Sequence, residues 1–235
     1  MFTNKETSRQ IQLYLVLAVG FLLPVLGSVM VFLGRRGLRS ATPRGLLLHV
    51  LYQVFGLLFL ALALRHQRRR FKDIGFVFPM RIAEWGDSFA LFFGAMFVGL
   101  VVGFAMLAVR VALGMGHGLP QKFNSAALFG SHITLLAVLL VLVNPFHEEL
   151  LVRAFLITEM GQLYRSTILA VIVSVVLQSS YHLYQGLFAA ILHGSTFLVF
   201  SIYYVRTRRI LPVIMAHLYM DVSALMVYSS HLGKH

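Results

Sequence analysis

The sequence predicts an all-α fold, a polytopic transmembrane helical bundle of about seven spans. Three observations carry this. Runs of about 20 apolar residues, the length that crosses a bilayer's hydrocarbon core as a helix, recur along the chain. Mean hydropathy is +0.83, and only 12% of the 235 residues are charged. The stretches between runs are too short to hold a core of their own, so no soluble domain is expected and function has to sit within the bundle.

After a short polar start with Lys5 and Arg9, the first apolar run covers Ile11 to Leu33. It exceeds the core of a signal peptide and reads as a retained span. Gly34 to Arg44 is a basic loop with Arg35, Arg36, Arg39 and Arg44, and Gly45 to Leu64 is the second span. The longest polar connection, Arg65 to Asp87, carries Arg65, Arg68, Arg69, Arg70, Lys72 and Arg81. The third span, Ser88 to Val109, contains Gly99 and Gly103 in a GxxxG spacing that permits close helix contact. A Gly-containing connection from Val111 to Ser131 follows, and the fourth helix runs from about His132 to Tyr164. Pro145 in its middle removes a helix hydrogen bond, which predicts a kink or restart just before Glu148. Thr167 to Gln185 and Leu187 to Val205 form an antiparallel hairpin broken at Gly186, and Ile210 to Tyr228 is the last span.

The chain has 20 Lys and Arg against 8 Asp and Glu, but nearly all the basic residues lie in short loops beside apolar spans. That placement points to anionic lipid headgroups and membrane orientation rather than to nucleic acid. With the N-terminus in the cytoplasm, 12 basic residues fall inside and 7 outside, the outer set including Arg110, Lys122 and Lys234. This agrees with the positive-inside rule, although the four arginines of the first loop oppose it. The absence of cysteine excludes disulfides, thiolate catalysis and any Cys-ligated metal.

Charged groups in hydrocarbon need a partner or water, and NPFHEELLVRAFLITEM, Asn144 to Met160, places Glu148, Glu149 and Arg153 in an otherwise apolar stretch. At i and i+4, Glu149 and Arg153 share a helical face and can pair, while Glu148, about 100° away, is expected to point elsewhere. On that angle Glu148 is the group for chemistry and the Glu149 and Arg153 pair is a structural brace. His182 in LQSSYHLYQG, and His217 with Asp221 four residues later, place further ionisable groups in later spans. Counted from the cytoplasmic span ends, Glu148 and His182 lie at roughly 22 to 24 Å, His217 at roughly 10 Å and Asp221 at roughly 16 Å. His193 reads as packing. His147 does not make an HExxH zinc site, because position 151 is Leu151.

EELLVR at Glu148 to Arg153, His182 in its YHLYQG context, and AHLYMD ending at Asp221 resemble, in order and spacing, the motifs EExxxR, FxxxH and HxxxN/D of the CPBP (Abi) family. That family contains the CAAX prenyl proteases, or Ras-converting enzymes, and bacterial CPBP intramembrane proteases. The resemblance covers Asn144 to Asp221; the first 130 residues contribute only hydropathy, which divides the chain into N-terminal transmembrane helices, 1–130, and a catalytic helical core, 131–235. It implies an intramembrane endopeptidase in a bacterial cell membrane, with a membrane-associated polypeptide, prenylated or not, as substrate. Catalytic roles would fall on Glu148 and His182, which activate water, and on His217 and Asp221, which steady the oxyanion, with Glu149 and Arg153 supporting. The chain departs from the family pattern at Gln178, where the second motif usually has Phe, and at Ala154, where Gly commonly follows the Arg. A carboxylate donates to an oxyanion only when protonated, so Asp221 can instead orient His217.

A zinc-dependent variant of the protease would use Glu148, His182 and His217 as ligands; the favoured reading needs no cofactor. The alternatives from other classes are a non-catalytic membrane scaffold or immunity protein, and a proton-coupled transporter, for which the sequence lacks inverted repeats and paired broken helices.

Overall fold

A computed structural model describes residues 4–37, 40–115 and 125–231; Arg39, Lys122 and Lys234, which enter the loop charge counts, lie outside them. The long helices are α1 (Asn4–Phe32), α2 (Pro43–His66), α3 (Ile82–Ala112), α4 (Leu135–Leu163), α5 (Thr167–Ser180), α6 (Leu187–Thr207) and α7 (Leu211–His231). Among the described residues there is no strand. Several helices start where a hydroxyl can accept an orphan backbone N–H. Thr42 accepts from Gly45 at 3.1 Å, Thr134 from Ala137 at 3.2 Å, and Ser166 from Leu169 at 3.2 Å.

Six of these helices are long and apolar enough to cross a membrane. Their outward faces carry large apolar side chains such as Leu23, Leu62, Phe97 and Met226, as lipid contact requires. The fifth differs from expectation. Its helix stops at Ser180 after 14 residues, which at 1.5 Å each gives only about 21 Å, short of the hydrocarbon thickness. The chain then turns through a 3₁₀ segment at Leu183–Gln185 and through Gly186, whose φ of 95° suits glycine. His182 therefore lies in the turn of the α5–α6 hairpin and not on a helix.

Helix α4 is the centre of the bundle, and every residue from His147 to Met160 is buried. Around it packs one apolar cluster that draws Leu13 and Val16 from α1, Leu60 and Leu64 from α2, Phe197 and Phe200 from α6, and Val213 and Ile214 from α7. The expected GxxxG contact is present. Gly99 faces Thr196 and Gly103 faces Leu192, which sets α3 closely against α6. Four residues after Pro145 the helix widens into a π segment, Glu149–Phe155, before returning to α geometry. Pro145 has no N–H for the carbonyl of Val141 one turn earlier, and π segments of this kind recur at functional sites.

At the end of the bundle that carries the first residues of α1, buried acids bind the loops. Glu159, fully buried, accepts from Arg9 at 2.9 and 3.0 Å and from Arg69. Glu84, also buried, accepts from Arg81 and from Arg209 at 2.7 Å. The Ile210 N–H donates to Gly75 O at 3.1 Å, and a side chain on Gly75 would collide with the Arg208 carbonyl. These contacts tie the α6–α7 turn to the loops beside α3. His217 meets both Glu148 and Glu149, so the count that put it at roughly 10 Å, against roughly 22 to 24 Å for Glu148, does not give their relative depth.

Removing one partner of a buried ion pair leaves a charge uncompensated, at about 3 kcal/mol or more. Glu159→Ala should therefore lower the folded yield in membranes and the thermal midpoint in detergent. Values equal to wild type would show that Arg9 and Arg69 do not need the carboxylate.

Candidate active site

Arg153 is fully buried. Its guanidinium donates to Glu149 and to Gln178, its Nε to Ser201 Oγ at 3.2 Å, and Nη2 also reaches Phe197 O at 3.4 Å. The rings of Phe197 and Phe200 lie 5.3 and 5.6 Å from its centre. The expected i,i+4 pair of Glu149 and Arg153 is thus formed and almost saturated in hydrogen bonds.

The expectation that Glu148 would point away from this pair is corrected. The π segment begins at Glu149 and closes i to i+5, so adjacent side chains there diverge less than the 100° of an α-helix. Gln178 Nε2 donates to Glu148 Oε2 at 3.1 Å and lies 3.5 Å from Glu149 Oε1. His217 also faces both carboxylates. Its Nδ1 is 2.7 Å from Glu149 Oε1, and its Nε2 is 3.8 Å from Glu148 Oε2 and 3.6 Å from Asp221 Oδ1. A carboxylate only accepts, so Nδ1 carries a proton and Nε2 is the ring atom turned toward the other two acids. The two glutamates differ in access, with Glu148 5% exposed and Glu149 0%.

The remaining predicted residue sits one step away. His182 stacks on His193 at 4.2 Å and against Tyr181 at 4.5 Å, with Phe197 at 5.4 Å. The same Phe197 ring lies 6.1 Å from His217. The Tyr181 hydroxyl approaches Glu148 without closing a hydrogen bond. Among the described residues no hydrogen bond or ion pair joins His182 to Glu148; Tyr181 and Phe197 connect them. His182 Nε2 is buried without a hydrogen-bond partner. The structure thus brings Glu148, Glu149, Arg153, His217 and Asp221 together directly and places His182 against their aromatic wall.

Several neighbours escaped the sequence reading. Gln178, noted there as a departure from the family pattern, links Arg153 to both glutamates. His193, read as packing, donates from Nε2 to Gln185 Oε1 at 2.9 Å beside His182. Asn144 donates to Asp221 Oδ2 at 3.1 Å and accepts from Gln53 at 2.6 Å. Each was visible as a lone polar residue in an apolar run, but its partner on another helix was not. His147 lies elsewhere, its ring 5.3 Å from Phe21 and its Nε2 against Gly56. For a metal, His217 Nε2 does face two carboxylates. Among the described residues, however, no three His, Asp or Glu side chains are arranged to hold an ion, and Nδ1 of His217 is already engaged.

A multi-pass helical protein whose spans bring together buried Glu148, Glu149, Arg153 and His217 with a partly exposed Asp221 defines the class, an integral membrane protein with an intramembrane polar site. Residues 130–223 match the family model described as type II CAAX prenyl endopeptidase Rce1-like, a match consistent with the CPBP/CAAX-protease family. The match takes in all six predicted site residues. Neither a curated protein nor a solved structure gives a match.

Arg153→Ala would leave Glu149 buried without its cation, which costs about 3 to 5 kcal/mol. Folded yield and thermal midpoint should both drop. Normal folding with loss of turnover alone would make Arg153 a direct participant in the chemistry.

Proposed function

We propose that the chain is an intramembrane endopeptidase in which Glu148 activates a water for attack on a peptide bond of a membrane-associated polypeptide, without a metal. The observation that carries this reading is the division of labour within the glutamate pair. Glu149 is sealed, bound to Arg153 and to His217 Nδ1, while Glu148 keeps the only exposure of the two and is held by a single amide N–H of Gln178. A carboxylate within hydrogen-bond reach of a water can take its proton. His182 contributes its unpartnered Nε2 toward the same water. His217 donates from Nε2 to the negative charge that develops on the carbonyl oxygen, fixed for that task by Glu149 behind it and Asp221 beside it.

In this reading residues 131–235 form the catalytic core and the preceding helices close it. The excess of basic residues in the loops supports a cytoplasmic N-terminus. A prenylated substrate is suggested by the family description of residues 130–223. An internally quenched peptide with a farnesylated CAAX end, alongside its unprenylated twin, is therefore the first probe.

Glu148→Gln keeps the shape of the side chain and removes its ability to accept a proton. General-base catalysis is typically worth about 10²- to 10⁴-fold, so cleavage should fall by at least roughly two orders of magnitude while insertion and the thermal midpoint hold. Unchanged turnover would remove Glu148 as the base. A scaffold would instead keep its phenotype with this isostere. The metal-free assignment has its own check. Exhaustive chelation should leave cleavage intact, whereas activity lost on chelation and restored by zinc would assign a metalloprotease.

A further inference from the structure

Helix α2 reaches the site through Gln53. Gln53, 2% exposed, donates its amide N–H to Asn144 Oδ1 at 2.6 Å, and Asn144 Nδ2 donates to Asp221 Oδ2 at 3.1 Å. A carboxylate only accepts, so Asp221 requires Asn144 to turn its NH₂ toward it. That leaves the Asn144 carbonyl facing α2 and requires Gln53 to present its own NH₂. The two amides therefore point the same way, both donating toward Asp221. The other carboxylate oxygen, Oδ1, is 3.6 Å from His217 Nε2.

The outer end of this chain is incomplete. Gln53 Oε1 is buried with no hydrogen-bond partner among the described residues. A buried carbonyl without a donor destabilises a fold, and an apolar side chain of equal length would avoid the loss. Gln53 is thus poorly suited to packing and well suited to donation.

We infer that Gln53 and Asn144 form an amide relay that holds the Asp221 carboxylate beside His217 Nε2, which makes Gln53, on a helix outside the Rce1-like match, a positioning residue of the site. The inference rests on the reading of His217 and Asp221 given above. It assigns Asp221 to orienting the histidine rather than to contacting the oxyanion.

Gln53→Met keeps the length of the side chain and removes both amide atoms. In the full-length protein, with the farnesylated quenched peptide as probe, kcat should fall about tenfold, equal to about 1.4 kcal/mol and within the range of one hydrogen bond, at unchanged KM. The thermal midpoint should stay level or rise. Asn144→Leu should lower kcat at least as far, and the double variant should be no worse than Asn144→Leu alone, because links of one chain are not additive. A second readout does not depend on turnover: the ring ¹⁵N resonances of His217, assigned with His217→Asn, should move in Gln53→Met and in Asn144→Leu. If the wild type cleaves neither peptide and those resonances still move, the proposed protease activity fails and the relay stands. If the peptide is cleaved but Gln53→Met leaves kcat and the His217 resonances at wild-type values, or if the two substitutions add, the relay is overturned.

Discussion

A guanidinium with no access to water has to be neutralised where it stands, and the interior of this bundle is arranged around that requirement at Arg153. The desolvation of a buried ion is offset only when its partner is close and its remaining donors are satisfied. Here the partners come from its own helix, Glu149 on α4, and from two others, Gln178 on α5 and Ser201 with the Phe197 carbonyl on α6. Satisfying one side chain therefore fixes the relative register of three helices. His217 extends the same network to α7 through Glu149. The network is a structural device first, and the chemical site is its edge, where the saturated hydrogen bonding stops at Glu148.

The π segment at Glu149–Phe155 is what lets the network and the site share one stretch of helix. A regular α-helix would turn Glu148 and Glu149 apart by about 100°, which gives one carboxylate to the brace and sends the other to a different face. Widening the helix brings both to Gln178 and to His217. Each then takes a different fate through access alone.

Much of the bundle was legible in the sequence because bilayer thickness sets a length that hydropathy reports. The apolar runs, the Gly99 and Gly103 contact, the Gly186 break and the Glu149 and Arg153 pair all rest on local spacing, and each is present. What spacing could not report was geometry made between helices. The meeting of His217 with the glutamates depended on contacts between α4 and α7 that no local spacing reports. The helix α5 stops at Ser180 and a 3₁₀ turn follows at Leu183–Gln185, ahead of the break expected at Gly186. Glu84, in the connection between the second and third spans, and Glu159, near the end of the fourth helix, are fully buried anchors. Gln178 and Asn144 were visible, but an isolated amide does not say which carboxylate it will meet.

The shortened α5 also explains why helices outside the Rce1-like match belong to the site. Irregular backbone at membrane depth is tolerated only against protein or a wet cavity, since lipid satisfies none of its N–H and C=O groups. The turn that carries His182 is such a backbone, and α1 supplies part of its cover: the Tyr184 N–H donates to Ser28 Oγ at 2.8 Å. At the opposite end of the same helix, Arg9 holds Glu159 on α4. Helix α1 is therefore pinned at both ends to the elements that carry the site, and α2 reaches Asp221 through Gln53 and Asn144. A hairpin that turns this early exposes backbone groups of its own, and neighbouring helices satisfy them.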